Sequence, residues 1–274
     1  MGGLGNQLFQ LFATISHALD NDDTFVFLYS KMYGKRLSYW DNFLYPLKIY
    51  TSLNRIQGIT TREKAFHYDV LPDKNNNENI ILHGYFQSEK YFKKNALKIA
   101  ELSMNLTQVQ NKIRKKEFTL LDQKKTISMH FRLGDYKNLQ DYHPVLNINY
   151  YKNSIEKIEE MTELSEWTII YFCEEDDLDC VSKDYIDHLE KMFPKNIFLK
   201  VNSKLSDYDQ MITMSCCQHH IIANSTFSWW GAYLHFSNDK LVCYPSLWFG
   251  PKLPNHTIID LIPEDKNWLK VSVI

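Results

Sequence analysis

The sequence predicts an α/β protein whose second half is a doubly wound parallel sheet. Three observations predict it. Short apolar runs alternate with helical periodicity from residue 126 onward, a glycine-rich turn leads straight into an amphipathic helix at the amino end, and 274 residues with 44% hydrophobic content suffice for two lobes. The lobes are expected at 1–124 and 125–274, divided at the charged, turn-like stretch Leu121-Asp122-Gln123-Lys124-Lys125. Lys and Arg number 31 against 33 Asp and Glu, a net charge of −2. That balance argues against a general polyanion surface and against nucleic acid as a partner, so any phosphate site must be local.

The elements follow in order. From Leu8 the apolar residues Leu8, Phe9, Leu11, Phe12, Ile15, Ala18 and Leu19 recur at helical spacing, and Thr24 to Tyr29 reads as a strand. The chain therefore opens glycine loop, helix, strand, half of a nucleotide-binding unit without the strand that should precede the loop. Residues 31–78, with Pro46, Pro72 and the run Asn75-Asn76-Asn77, read as irregular structure and a surface loop. Asn79 to Phe86 is a strand. Ser88 to Lys116 is a lysine-rich helical region with Leu97, Ile99, Leu102, Leu106, Val109 and Ile113 on its apolar side. Strands are then expected at 126–132, 167–173, 196–201, 219–223 and 240–244, with helices at 149–164, 182–193, 207–217 and 228–236 between them.

Five irregularly spaced cysteines do not form a disulfide framework and fit a reducing compartment. No basic stretch precedes the first apolar residues, and no run approaches ~18 uninterrupted apolar residues. The expectation is a soluble, cytoplasmic protein, with the inner membrane allowed as a peripheral resting place. The sequons at Asn105, Asn224 and Asn255 are then chance matches.

In a doubly wound sheet ligands bind outside the carboxyl ends of the strands, so polar residues there are the first candidates. In TISMHFRLGDY, Ile127, Met129 and Phe131 alternate with Ser128, His130 and Arg132, and Asp135 follows a turn at Gly134. Arg132 can hold a phosphate through two parallel N–H bonds, or it can simply pair with Asp135. In HHIIANSTFSWWGAYL, Ser225, Thr226 and Ser228 stand where a helix begins, as caps or as an anion site, and Trp229 and Trp230 read as packing. Gly3 and Gly5 of GGLGNQ permit close backbone approach, and Asn6 and Gln7 bring amides able to bond sugar hydroxyls or phosphate. Asp177-Leu178-Asp179 matches the D-x-D pattern of metal-dependent sugar transferases. Glu174 or Glu175 can alternatively accept hydrogen bonds from a guanine edge. Cys216-Cys217-Gln218-His219-His220 invites zinc, but a helix-to-strand junction there would send neighbouring side chains apart.

Four blocks, GGLGNQLFQ at 2–10, GYFQSEKYF at 84–92, HFRLGDY at 130–136 and IIANSTFSWWGAYL at 221–234, together resemble glycosyltransferase family 11, the α-1,2-fucosyltransferases. The resemblance implies a GT-B-like pair of facing Rossmann-like lobes with the donor nucleotide in the C-terminal one. It implies GDP-fucose as donor substrate, a galactose-terminated glycan as acceptor, inversion at the anomeric carbon, and no cofactor or required metal, which counts against D-x-D. It assigns Arg132 to the donor pyrophosphate and His130 to the nucleotide site. It assigns Asn224, Ser225, Thr226 and Phe227 to the loop receiving the β-phosphate and packing near the guanosine, and Asn6 to an amide reaching from the first lobe. Where the family has F-S-D-D, this chain has Phe172-Cys173-Glu174-Glu175, longer carboxylates at the base-recognition position. Asp135 is the candidate general base, or the residue that orients Arg132. The remaining alternatives are a fucosyltransferase of another linkage and a non-catalytic nucleotide-sugar-binding protein.

Overall fold

The computed structural model describes residues 2–73, 78–119, 121–254 and 256–274, with Gln123 described by its backbone. The Asn75-Asn76-Asn77 run and the Asn255 sequon lie outside the described residues. The chain divides into two compact units, Met1–Val109 with His256–Pro263, and Gln110–Asn255 with Glu264–Ile274. The division precedes the expected 124/125 boundary because Gln110 is already tied into the second unit. Its amide donates to Ser215 Oγ at 2.9 Å and to Leu234 O at 3.1 Å.

In the first unit α1 (Leu4–Asp20) starts directly at the glycine turn. Its apolar face is buried, and Phe9 and Phe12 pack against Phe92 with ring centroids 5.9 and 5.4 Å apart. Six short strands follow: β1 (Phe27–Leu28), β2 (Met32–Tyr33), β3 (Arg36–Leu37), β4 (Thr51–Ser52), β5 (Ile59–Arg62) and β6 (Ile80–His83). β1 pairs with β4 and β5 with β6, both parallel, while β2 and β3 form an antiparallel hairpin. Among the described residues these remain two-stranded pairs rather than the continuous sheet expected of a Rossmann-like lobe. Polar residues and prolines interrupt the apolar runs of 31–73, and only two residues of the expected 24–29 strand find a partner. The helical region 88–116 begins with two single 3-10 turns. It then divides into α2 (Ala96–Met104) and α3 (Leu106–Glu117) at Asn105, whose left-handed φ of 50° suits asparagine. Ile99, Leu106 and Ile113 are buried as the pattern requires, whereas Leu97 and Leu102 are exposed.

The second unit contains β7 (Thr126–His130), α4 (Ile148–Thr162), β8 (Thr168–Phe172), α5 (Leu178–Val181), a π-helical turn at Ser182–Ile186, and α6 (Asp187–Met192). It continues with β9 (Ile197–Lys200), α7 (Asp207–Ser215), β10 (His219–Ile221), α8 (Thr226–Tyr233), β11 (Val242–Pro245) and β12 (Trp268–Val271). The six strands form one parallel sheet in the order β12-β11-β10-β7-β8-β9. The chain lays β7, β8 and β9 outward, then returns to place β10 on the other side of β7. The direction of winding thus reverses between β7 and β10, which is where such sheets open a crevice at their carboxyl ends. All five residues of β7 are buried, Ser128 and His130 included, because a parallel sheet is covered on both faces. Tyr150, Tyr151, Ile155 and Ile158 of α4 cover one face, and Trp229 and Trp230 of α8 are fully buried as packing residues.

The five cysteines are free thiols; Cys173, Cys216, Cys217 and Cys243 are buried and Cys180 is partly exposed. His219 Nδ1 accepts from Leu241 N–H at 3.0 Å, and His220 lies between Ser128 Oγ (2.8 Å) and His235 Nδ1 (3.1 Å). The Cys216–His220 run therefore does not converge. Among the described residues no three His, Cys, Asp or Glu side chains gather as a metal-binding group, and no helix is long and apolar enough to cross a membrane.

Candidate active site at the tips of β7 and β10

Beyond β7 the chain turns at Gly134, whose φ of +33° glycine adopts without a Cβ penalty. Arg132 leads into that turn and Asp135 leads out. Arg132 Nη2 donates to Asp135 Oδ1 at 2.5 Å, Nη1 donates to Glu174 Oε1 beyond β8, and the guanidinium carbon lies 5.1 Å from the Tyr136 ring centroid. The pairing of Arg132 with Asp135 is thus realised, with Glu174 as second partner. Glu174 is half-exposed. The Arg132 side chain is only 19% exposed, so it is the solvent-facing Glu174 carboxylate that can swing away and leave its place to a diphosphate. Glu175 is exposed and begins a short 3-10 turn, Glu175–Asp177.

The turn itself is fixed by a residue whose role the sequence pattern did not disclose. Asp177, buried, accepts from the Gly134 N–H (2.6 Å) and from Lys137 Nζ (2.6 Å). Its carboxylate is thereby engaged, while Asp179 is exposed. The two acids of the D-x-D triplet have parted rather than paired. Tyr136, also missed, donates from its hydroxyl to Asn224 O at 3.1 Å and so links the β7 tip to the β10 tip.

His130 ends β7. Burial, assisted by the charges of Arg132 and Lys200, lowers its pKa to about 3, so the ring is neutral. Its Nδ1 is buried without a hydrogen-bond partner among the described residues, and its ring lies 5.5 Å from that of Phe227. A buried polar atom left unsatisfied signals a missing partner, such as a ligand group.

On the neighbouring strand, β10 runs through Ile222 and Ala223 into Asn224 and Ser225. Ser225 is the N-cap of α8, its Oγ accepting from Phe227 N–H at 3.3 Å, and Thr226 opens the helix. Ser225, Thr226 and Phe227 are half-buried. The Asn224 amide is committed on its donor side only, its Oδ1 being buried without a hydrogen-bond partner among the described residues. It is 1% exposed, and its Nδ2 donates to Pro144 O (2.9 Å) and Trp248 O (3.2 Å), making it a joint between loops. At the far end of α8 the buried Lys240 ammonium donates to Ala232 O (2.8 Å), Tyr233 O (3.4 Å) and His235 O (2.6 Å), completing the last carbonyls.

In the first unit Gly3 is the N-cap of α1 and Gly5 lies buried in its first turn. Asn6 Oδ1 accepts from Gln87 Nε2 at 3.0 Å, which joins the GGLGNQ block to GYFQSEKYF. Gln7 is buried, and its Nε2 donates to Gly2 O (3.0 Å) and Leu37 O (2.8 Å). The Gln7 donors brace the glycine turn and the hairpin instead of facing a ligand, a correction to their expected role.

A doubly wound parallel sheet with an arginine, a neutral histidine and a serine-capped helix start at its switch point defines an α/β enzyme unit of the nucleotide-binding kind. The chain belongs to glycosyltransferase family 11, whose sequence pattern matches residues 60–247, and is a glycosyltransferase. It is 36% identical over 130 residues to the O-antigen biosynthesis glycosyltransferase WbnK of Escherichia coli, a match spanning 45% of this chain and 39% of that one. It is 26% identical over 295 aligned positions to an α-1,2-colitosyltransferase of Escherichia coli, spanning 99% of this chain and 97% of that one. Among solved structures, the fucosyltransferase NodZ from Bradyrhizobium aligns with 85% of this chain and 90% of its own, at 12% identity and a TM-score of 0.48.

Proposed function

We propose that the protein transfers L-fucose from GDP-fucose to the 2-hydroxyl of a terminal β-galactoside, inverting the anomeric carbon without a required metal. The observation that carries this reading is the adjacency of Arg132 and the Ser225-capped start of α8, at the ends of two neighbouring strands joined by the Tyr136–Asn224 hydrogen bond. Cleavage of the donor builds negative charge on the β-phosphate and positive charge on the sugar, so fixed donors at the phosphate stabilise the transition state over the ground state. Arg132, moving from Glu174 to the diphosphate, and the N–H groups and hydroxyls of Ser225 and Thr226 supply those donors. His130 and Phe227 line the nucleoside. Glu174, once released, is free to accept from the guanine edge. Asp135 keeps the guanidinium oriented, and an unchanged pH–rate profile in Asp135→Asn removes it as the acceptor base.

A second reading is favoured by the near full-length match to a colitosyltransferase, since colitose is fucose without its 3-hydroxyl. The relative named for O-antigen biosynthesis favours a cytoplasmic precursor of surface polysaccharide as acceptor. One experiment separates the readings: GDP-fucose or GDP-colitose is incubated with several β-galactosides in EDTA, followed by mass and linkage determination. A fucosylated α-1,2 product supports the proposal, and another linkage or transfer of colitose alone replaces it. Nucleotide binding without transfer indicates a non-catalytic protein, and loss in EDTA restored by Mn²⁺ overturns metal independence.

A further inference from the structure

Tyr136 stands in the 3-10 turn Gly134–Asn138 that follows the β7 tip, its own N–H tied to Leu133 O at 2.7 Å. The Arg132 guanidinium carbon lies 5.1 Å from the centroid of its ring, a cation–π distance. The hydroxyl of the same ring donates to Asn224 O at 3.1 Å, directly before the Ser225 cap of α8. One side chain thus touches both halves of the anion site. Burial raises the pKa of the phenol, so its hydroxyl keeps the proton it donates.

The contacts close into a circuit. The His143 ring lies nearly parallel to the Tyr136 ring, with 19° between planes and 4.8 Å between centroids. Pro144, next in the chain, accepts from Asn224 Nδ2 at 2.9 Å, and the same amide reaches Trp248 O at 3.2 Å. Phe249, next after Trp248, lies 6.3 Å from the His143 ring. The two loops are knit together by bonds from Gly250 N–H to Tyr142 O (2.8 Å) and from Lys252 N–H to Asp141 O (2.9 Å). Gly250 leaves no room for a side chain there, since a Cβ would run into Asp141 O. A shift of either strand tip must then break the Tyr136 hydroxyl bond or unstack the rings.

We propose that Tyr136 is a positioning residue that couples Arg132 to the Ser225-capped start of α8, so that the two hold a nucleoside diphosphate as one preformed unit. The inference rests on the proposed donor site and supplies a cause for its geometry. A guanidinium and a helix start that moved independently would each lose affinity to the ordering that binding demands. Held at a fixed separation, they are ordered by the fold before the ligand arrives. The ring and the hydroxyl play separable parts, the ring toward Arg132 and the hydroxyl toward the β10 tip.

The test is calorimetric titration of the full chain with GDP and with GMP, which lacks the second phosphate. Tyr136→Phe deletes the hydroxyl and keeps the ring. It should weaken GDP about two- to tenfold, the worth of one hydrogen bond, and GMP less. Tyr136→Leu deletes both contacts and should weaken GDP by a further factor of about two to five. Loss of folded structure alone would weaken both nucleotides alike, so the ratio of GDP to GMP affinity is the readout. Ser225→Ala reads the coupling. Combined with Tyr136→Phe, it should weaken GDP by less than the product of the two single losses, because the slackened tip has already misplaced the cap. An affinity ratio kept by both Tyr136 variants, or single losses that multiply in full, overturns the proposal and leaves the proposed reaction standing. A wild-type ratio near one overturns both.

Discussion

Arg132 is the residue on which the site turns, because its guanidinium is oriented by Asp135 and Tyr136 yet held by the replaceable Glu174. Substituting Arg132→Ala should lower kcat by about 10²–10³, the cost of removing one preorganised donor, with the acceptor KM little changed. Steady-state kinetics on both substrates check this, and near-normal turnover would contradict the assignment. The strand alternation made Arg132 and His130 legible as tip residues. Asp177 was not legible, because its partner is a backbone N–H 43 positions away, which no side-chain pattern records. Asn224 is legible only in part: its motif marks the β10 tip, while the bonds of its Nδ2 to Pro144 O and Trp248 O join loops far apart in sequence.

At the scale of elements, α8 and the β7 tip each depend on one short-range device. Ser225→Ala removes the α8 cap and should cost about 1 kcal/mol of stability, whereas Ser225→Gly should cost only a few tenths. Both remove the Ser225 hydroxyl, so both should raise the donor KM; urea unfolding and donor titration separate the two effects. Asp177→Ala strands the Gly134 N–H and should destabilise by about 1–3 kcal/mol, measured by urea unfolding, and lower kcat through a loosened turn. The strands of the second unit were readable because they are short buried apolar runs bounded by turns. β12 escaped notice: Lys270 interrupts its four residues, and it follows a long irregular stretch. In the first unit β1 and β6 were readable inside the expected 24–29 and 79–86 strands. In contrast, β2 to β5 are two to four residues long in the stretch read as irregular, β4 and β5 pairing across distant registers, Phe27↔Thr51 and Ile59↔Ile80.

The whole molecule carries its pH response in buried imidazoles. Burial holds His130 and His235 at about 3 and His219 at about 4, and keeps His220 well below its ordinary value. In the unfolded chain these rings take up protons near pH 6.5, before the folded ones can. The stability they contribute is therefore complete above about pH 6.5 and is lost progressively as pH falls toward the folded values. Tm should decline between about pH 7 and pH 5, a window above the usual carboxylate range, and a flat profile there would contradict the buried neutral rings. The division of the chain was less legible than its chemistry, since Gln110 and the returning segment His256–Pro263 assign themselves by contacts no composition shift announces.

All five cysteines reside in the second unit, four of them buried, with Cys173 and Cys216 pushed up to about 11 and Cys243 to about 12 by burial. Alkylation is then a natural clock for that unit alone. A maleimide should tag Cys180 first, and the other four at the rate at which the sheet and its helices breathe open. Intact-mass spectrometry reads the clock tag by tag, and a second fast tag would mean that one of the four sites is less well sealed than its packing indicates.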